Sequence, residues 1–120
     1  RELTPYVSRC IFSFVEMYKK LEVNMPELRP MTDEQKCTLA QGLGAIAKKH
    51  GLYLQTCATR EDYEEFGIHR SGCMTTEIFS EALGIDFKRQ THKGNRLGWA
   101  CMGSRGLGDY NSCPNGCRYC

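Results

Sequence analysis

The sequence predicts an α/β domain, because a strand-like segment, an amphipathic helix and a second strand-like segment follow one another in its first half. These are residues 7–15, Asp33–His50 and 52–57. A strand, a helix and a strand in this order form a βαβ unit, whose two strands are parallel. Glycines and cysteines without apolar periodicity dominate residues 88–120, which predicts an irregular C-terminal region.

The first segment, residues 7–15, is rich in β-branched and aromatic side chains, as is typical of a buried strand. Cys10 lies inside it, and we expect it to be a small core residue. A short helix is predicted over residues 16–21, and prolines mark the loop that follows it.

The strongest helix signal covers Asp33–His50. Thr32 and Gln35 form a capping-box pattern at its start, and Gly51 follows as a natural C-terminal cap. Apolar residues recur at helical spacing, and Cys37 lies near their stripe as an expected structural residue. The stripe consists of Leu39, Leu43, Ile46 and Ala47, with Ala40 beside it.

The second strand, residues 52–57, ends on Cys57. Sites in α/β folds lie at the carboxyl ends of parallel strands, so Cys57 has a better claim to function than Cys10 or Cys37. A short helix over residues 61–66 and a helix over Thr76–Leu83 complete the prediction, each stopped by a glycine.

Length and charge narrow the possible functions. A chain of 120 residues with a formal net charge of +2 is one domain or a piece of one, and it is too balanced to indicate nucleic acid or an acidic membrane. No apolar run reaches the length of a membrane span, and no signal peptide is present, so we expect a cytoplasmic protein. The chain lacks an initiator Met, and we expect it to be a fragment of a longer protein.

A basic run offers a possible nucleic-acid surface, although a solvated face is the favoured interpretation. It contains Lys88, Arg89, Lys93 and Arg96, with Trp99 and Tyr110 nearby. The substrate, whether a small molecule or a macromolecule, stays open.

The eight cysteines allow two interpretations. An even number in a short chain is compatible with a disulfide-stapled extracellular domain. The predicted helices and strands do not need such staples, however, and the terminal cysteines lie too close together for unstrained disulfides. Reduced, metal-binding thiols are therefore favoured.

The last eight residues carry the clearest chemical motif, Cys-Pro-Asn-Gly-Cys-Arg-Tyr-Cys. The spacing of Cys113, Cys117 and Cys120 suits a 4Fe-4S cluster, which thiolates bind. Three protein ligands leave one iron open to another ligand. Tyr119 could stack on a planar ring held at that iron.

This motif resembles that of the radical S-adenosylmethionine superfamily, Cys-x3-Cys-x-aromatic-Cys. The resemblance implies that Cys113, Cys117 and Cys120 bind the cluster and that S-adenosylmethionine occupies the fourth iron through its amino and carboxylate groups. Tyr119 would then lie beside the adenine. Reduction of the cluster would cleave the sulfonium and release a 5′-deoxyadenosyl radical, which abstracts hydrogen from a substrate.

A longer resemblance covers nearly the whole chain. The segments that carry it are Cys10–Tyr18, Leu54–Ala58, Gly72-Cys73 and Cys101–Cys113. The pattern is similar to a mainly bacterial family, a domain of unknown function with a C-terminal radical-SAM-like cysteine cluster, some of whose members are labelled DNA repair photolyases. It implies a partial (β/α) barrel over residues 1–87 and a cysteine-rich metal- or cluster-binding tail over residues 88–120.

The chain departs from this family pattern at three places. The family tends to have Cys-x-Cys where this chain has Trp99-Ala100-Cys101, and acidic residues where it has Gly106 and Thr59. These departures weaken a second metal site more than the terminal one.

Three other cysteines lie outside the predicted strand and helix interiors, namely Cys57, Cys73 and Cys101. They could bind an auxiliary cluster or a zinc ion, with a fourth ligand from His69, His92 or water. Alternatively, they are small residues in tight loops. In a further variant, Cys101 joins the terminal three in one four-thiolate site, which could hold Zn²⁺.

The favoured function is that of a radical-SAM-like iron–sulfur enzyme, with catalytic residues and substrate unknown. The first alternative is a non-enzymatic zinc or iron–sulfur module in which four cysteines close the site. The second alternative is the disulfide-stapled extracellular domain.

Overall fold

The computed structural model describes residues 4–88, 99–103, 108–109 and 112–119. Within them the chain forms a parallel three-stranded sheet and three α-helices. In chain order these are β1 (Arg9–Phe12), α1 (Lys19–Asn24), α2 (Asp33–His50), β2 (Tyr53–Thr56), β3 (Ile68–Arg70) and α3 (Thr76–Leu83), with a 3₁₀ turn at Glu64–Phe66 before β3.

The sheet order is β1-β2-β3, so that β2 is the central strand. Cys10 lies opposite Leu54 in the first pair, and Leu54 lies opposite Ile68 in the second. Both pairs are parallel, which confirms the βαβ unit expected from β1, α2 and β2. All three carboxyl ends therefore meet at one edge of the sheet.

Helix α2 has the predicted bounds because local groups cap both of its ends. The backbone N–H of Gln35 donates to Thr32 Oγ1 at 3.2 Å, and the N–H of Thr32 donates to Gln35 Oε1 at 3.0 Å. At the other end Gly51 has a φ of 65°, in the left-handed region that favours glycine. Helix α3 also has its predicted bounds and ends at Gly84, with a φ of 65°.

The predicted apolar stripe of α2 is partly wrong. Leu39 and Ile46 are 43% and 57% exposed, whereas Ala40, Gly44 and Ala47 are buried. A Cβ on Gly44 would lie 2.2 Å from the carbonyl oxygen of Phe66, so the helix backbone closely approaches the 3₁₀ turn. The helix thus contacts the rest of the fold through its small residues, and this rotates the buried face away from Leu39 and Ile46.

The core is small and lies between α2 and one face of the sheet. Its buried residues are Ala40, Ala47, Leu54, Tyr63 and Ile68, and partly buried aromatic and leucine side chains pack around them. Cys10 and Cys37, both expected to be structural, are exposed. Cys10 is exposed because β1 is an edge strand, and Cys37 precedes Ala40, where the buried face of α2 begins.

The region between β2 and α3 differs most from the prediction. The expected helix over residues 61–66 is a three-residue 3₁₀ turn, and the unpredicted strand β3 follows it directly. The β3 sequence, Ile-His-Arg, is too short and polar to show strand periodicity. This strand carries the loop with Cys73 to the side of the residues that follow β2.

A buried polar network links the sheet to that loop. The side chain of Gln55 is fully buried, accepts a hydrogen bond from Arg9 at 3.0 Å and donates one to the carbonyl of Gly72 at 2.8 Å. Arg9 also pairs with Glu81 of α3 at 2.7 Å. Because buried amides need such partners, the network fixes the backbone immediately before Cys73.

The helices in the described parts of the chain include none that is long and apolar enough to cross a membrane.

Candidate metal centre

A cavity of about 1080 Å³ lies at the carboxyl edge of the sheet. Each strand contributes to it through the residues that follow it: Phe14 after β1, Cys57 after β2 and Cys73 after β3. Cys101, Cys113 and Cys117 from the C-terminal region also line it. Ligands of α/β proteins bind at this edge, so the cavity lies where a site is expected.

Three of these cysteines form one close group. The sulfur of Cys101 lies 3.5 Å from that of Cys57 and 3.6 Å from that of Cys73, and all three lie within 4.8 Å of one another. Cys101 is buried, Cys57 is half-buried and Cys73 is exposed. The structure therefore brings together the three cysteines that the sequence analysis selected, in an arrangement compatible with metal binding. We call them the three-cysteine group.

Backbone hydrogen bonds hold each member of this group in place. The N–H of Cys57 donates to the carbonyl of Phe12 at 2.9 Å and so extends the pairing of β1 with β2. The N–H of Met102 donates to the carbonyl of Met74 at 2.7 Å. This second bond ties the segment of Cys101 to the segment of Cys73.

Two small residues shape the loops around the group. Ala58, directly after Cys57, has a φ of 57°, a left-handed conformation that costs a non-glycine residue about 1–2 kcal/mol. A Cβ on Gly72 would lie 2.6 Å from the backbone nitrogen of Cys101. The sharp turn after Cys57 and the close approach at Gly72 both serve to bring the three sulfurs together.

The environments of two sulfurs shift their pKa values in opposite directions. Burial, together with contacts to the thiols of Cys73 and Cys101, raises the pKa of Cys57 to about 12. Burial also acts to raise the pKa of Cys101, but hydrogen bonds from the Met74 backbone and from the Cys57 and Cys73 thiols outweigh it and lower that pKa. Without a metal, the first thiolate of the group therefore forms at Cys101.

The terminal motif lies across the cavity from this group. Cys113, Cys117 and Tyr119 line the cavity and are exposed, and Cys120 lies outside the described residues. The ring of Tyr119 packs edge-to-face against Tyr18, with centroids 5.7 Å apart, and the Tyr18 hydroxyl donates to the carbonyl of Tyr119. These contacts attach the motif to the start of α1.

Arg118 attaches the same motif to the end of α1. Its guanidinium donates to the carbonyl of Asn24 at 3.2 Å and pairs with Glu27 at 2.5 Å. A hydrogen bond from its own backbone and the neighbouring Arg118 hold the pKa of Glu27 below its ordinary value. The terminal motif is thus anchored at two adjacent points on one helix.

We expect loss of the Glu27 carboxylate to expose Arg118 to trypsin. Glu27→Gln should speed cleavage after Arg118 by about two- to five-fold, in keeping with the small strength of an exposed ion pair. Mass spectrometry of the shortened chain gives the rate. Glu34→Gln removes the same charge from an exposed position at the start of α2 and should leave the rate unchanged. Equal rates in the two variants would contradict the anchoring role.

The other candidate ligands do not join the three-cysteine group in the described structure. His69 stacks on Tyr53, with ring centroids 4.4 Å apart, and is not among the clustered ligand atoms. His92 lies outside the described residues, as do Arg89, Lys93, Arg96 and Tyr110 of the possible nucleic-acid surface.

The sequence analysis missed residues that position the cysteines, above all Gln55 and Gly72. Gln55 is a polar residue inside a predicted buried strand, and this position was a signal that it needs a specific partner. Gly72 directly precedes Cys73, and a glycine there indicates a close backbone approach. Nothing in the sequence marks Ala58 as a left-handed residue.

Comparison with known proteins yields a family but no individual relative. A family model described as "Domain of unknown function (DUF1848)" matches residues 1–120. No curated protein and no solved structure matches the chain. Because the match covers the full sequence, the chain belongs to the DUF1848 family.

Proposed function

We propose that this chain is the cluster-binding region of a radical-SAM-like iron–sulfur enzyme, with Cys113, Cys117 and Cys120 as cluster ligands. The observation that supports it is the cavity of about 1080 Å³, into which the terminal motif brings two thiols and an aromatic ring. The Cys-x3-Cys-x-Tyr-Cys spacing supplies the three ligands and leaves one iron open. The proposal includes a partial (β/α) barrel, because consecutive parallel strands with a site at their carboxyl edge are the repeating unit of that fold.

The residues present fit a cluster and its organic ligand. Cys113 and Cys117 are free thiols, and both face the cavity. Tyr18 holds the ring of Tyr119 edge-on, so a face of that ring stays available to a planar group. When bound and reduced, the cluster would supply the electron that cleaves S-adenosylmethionine to a 5′-deoxyadenosyl radical.

The contacts of Cys101 favour this proposal over a closed four-cysteine module. The Cys101 sulfur lies against the sulfurs of Cys57 and Cys73, so its ligand atom is directed to that group. The seven cysteines in the described part of the chain are all free, as a metal-binding protein requires. Exposed free thiols persist in reducing compartments, and we therefore include a cytoplasmic location in the proposal.

Anaerobic reconstitution with iron and sulfide tests the proposal. The reduced chain should show an electron paramagnetic resonance signal that changes when S-adenosylmethionine is added, because the ligand binds the open iron. The double variant Cys113→Ser, Cys117→Ser should lose this signal along with the iron and sulfide content that accompanies it.

Cys10→Ser combined with Cys37→Ser is the matched control, since it removes two exposed cysteines that do not line the cavity. It should keep the signal. A signal that survives in the Cys113, Cys117 variant, or that ignores S-adenosylmethionine, would count against the radical-SAM-like function.

A further inference from the structure

We propose that Cys57, Cys73 and Cys101 bind a single Zn²⁺ ion, as a mononuclear site whose fourth coordination position opens into the cavity. This goes beyond the proposed function, because it rests on the three-cysteine group alone and does not require a cluster at the terminal motif.

The distances between the sulfurs select a single ion over an iron–sulfur cube. Three thiolates on one tetrahedral zinc, each about 2.3 Å from the metal, lie about 3.8 Å from one another. The two shorter separations in the group are 3.5 and 3.6 Å, and the third is no more than 4.8 Å. In a cube each thiolate binds a different iron, so its sulfurs stand farther apart than those that share one ion. An ion therefore enters this group with small movements of the side chains.

The same distances show that the sulfurs are separate thiols. A disulfide bond is about 2.05 Å long, well below the 3.5 Å between Cys57 and Cys101. Thiolate ligands favour zinc among the common divalent ions, whereas magnesium and calcium prefer oxygen.

The protein builds the site without help from the ion. Separate backbone hydrogen bonds hold Cys57 to β1 and the segment of Cys101 to that of Cys73, and Gln55 holds the carbonyl that precedes Cys73. The three residues come from the ends of β2 and β3 and from a segment 28 residues beyond Cys73. A prearranged site loses little chain entropy when the metal binds, which favours high affinity.

The fourth position is open to the cavity. All three cysteines line the cavity, and no histidine or carboxylate of the described residues joins their group. Structural zinc sites have four protein ligands, whereas sites with three leave a position for water or substrate. The ligand that fits this position is water or a thiol, since zinc accepts soft sulfur donors.

Zinc titration of the reduced chain, in competition with a chromophoric chelator, tests the assignment. A triple variant, Cys113→Ser, Cys117→Ser and Cys120→Ser, should still bind one zinc per chain, because the terminal motif is not needed. Cys73→Ser should weaken binding by more than about 100-fold, since even the loss of an outer-shell partner costs 10–100-fold. Cys73 is exposed, so this variant should fold, and circular dichroism checks that it does.

The double variant Cys10→Ser, Cys37→Ser is again the matched control and should bind zinc as the parent chain does. Absence of tight zinc binding in the terminal triple variant would overturn the proposal, as would full affinity in Cys73→Ser. Neither result bears on the iron–sulfur proposal, whose own variants are Cys113→Ser and Cys117→Ser.

Cobalt substitution tests the open position. Co²⁺ in the terminal triple variant should give the visible spectrum of a tetrahedral thiolate site, and added mercaptoethanol should shift it by replacing a bound water. An unchanged spectrum at saturating mercaptoethanol would show a fourth protein ligand and overturn the open site.

Discussion

Gly72→Ala should displace the segment of residues 99–103 and separate Cys101 from its two partners. The new Cβ would lie 2.6 Å from the nitrogen and 2.7 Å from the Cα of Cys101, and 2.8 Å from the carbonyl carbon of Ala100. These are backbone atoms, so no rotamer change relieves the overlap. We expect a loss of about 1–3 kcal/mol in the free energy of unfolding, typical of an overpacked site. Urea unfolding measures this loss.

Thiol labelling of the folded protein reports the displacement directly. Cys101 is buried in the parent chain and should react slowly, whereas in Gly72→Ala it should react faster. Zinc affinity should fall in the same variant, because one of three ligands has moved. Unchanged labelling of Cys101, together with unchanged stability, would contradict the close approach of the two backbones.

Gly44→Ala should destabilise the fold by about 3 kcal/mol, at the upper end of the range for added methyl groups. Its Cβ would lie 2.2 Å from the carbonyl oxygen of Phe66 and 3.2 Å from the carbonyl carbon. Helix α2 must move away from the 3₁₀ turn to accommodate the methyl group, and this opens the small core of Ala40, Ala47 and Leu54. Urea or thermal unfolding measures the loss.

Gly42→Ala is the matched control for this change, two residues earlier in the same helix. No atom lies within 4 Å of a Cβ at Gly42, so the helix propensity of alanine acts alone. It should stabilise the fold by about 0.5–1 kcal/mol. Opposite signs for the two variants are expected, and a stabilising Gly44→Ala would contradict the close packing of α2 on the turn.

The ends of α2 and α3 were predictable because neighbouring residues determine them. The Thr32 and Gln35 capping box and the C-terminal Gly51 and Gly84 act within one turn of the helix they limit. The parallel pairing of β1 and β2 was predictable for a similar reason, since a helix between two strands leaves few connections available.

Other features of the fold depend on partners that are distant in sequence. Strand β3 has three residues with no clear pattern, and its pairing with the central strand creates it. Leu39 and Ile46 follow helical periodicity but are exposed, because Gly44 allows a closer packing on another face. Cys10 is exposed because its strand has a neighbour on one side, a fact of sheet order that apolar composition does not reveal.

The candidate site divides in the same way. Spacing alone marked Cys113, Cys117 and Cys120 as a possible cluster motif, and position in the chain marked Cys57, Cys73 and Cys101 as a possible second site. The structure decided that the second set converges and that both sets line one cavity. It also decided the separation of the sulfurs, which distinguishes one ion from a cube.

By itself, the sequence determined the α/β class, the two capped helices and which cysteines were worth attention, because short-range contacts and spacing encode these features. Only the tertiary structure decided how close the sulfurs of Cys57, Cys73 and Cys101 come. That distance depends on the pairing of β2 with β3 and on the absence of a side chain at Gly72, where two segments distant in sequence touch. Such contacts form only when the whole chain packs, so no local pattern records them.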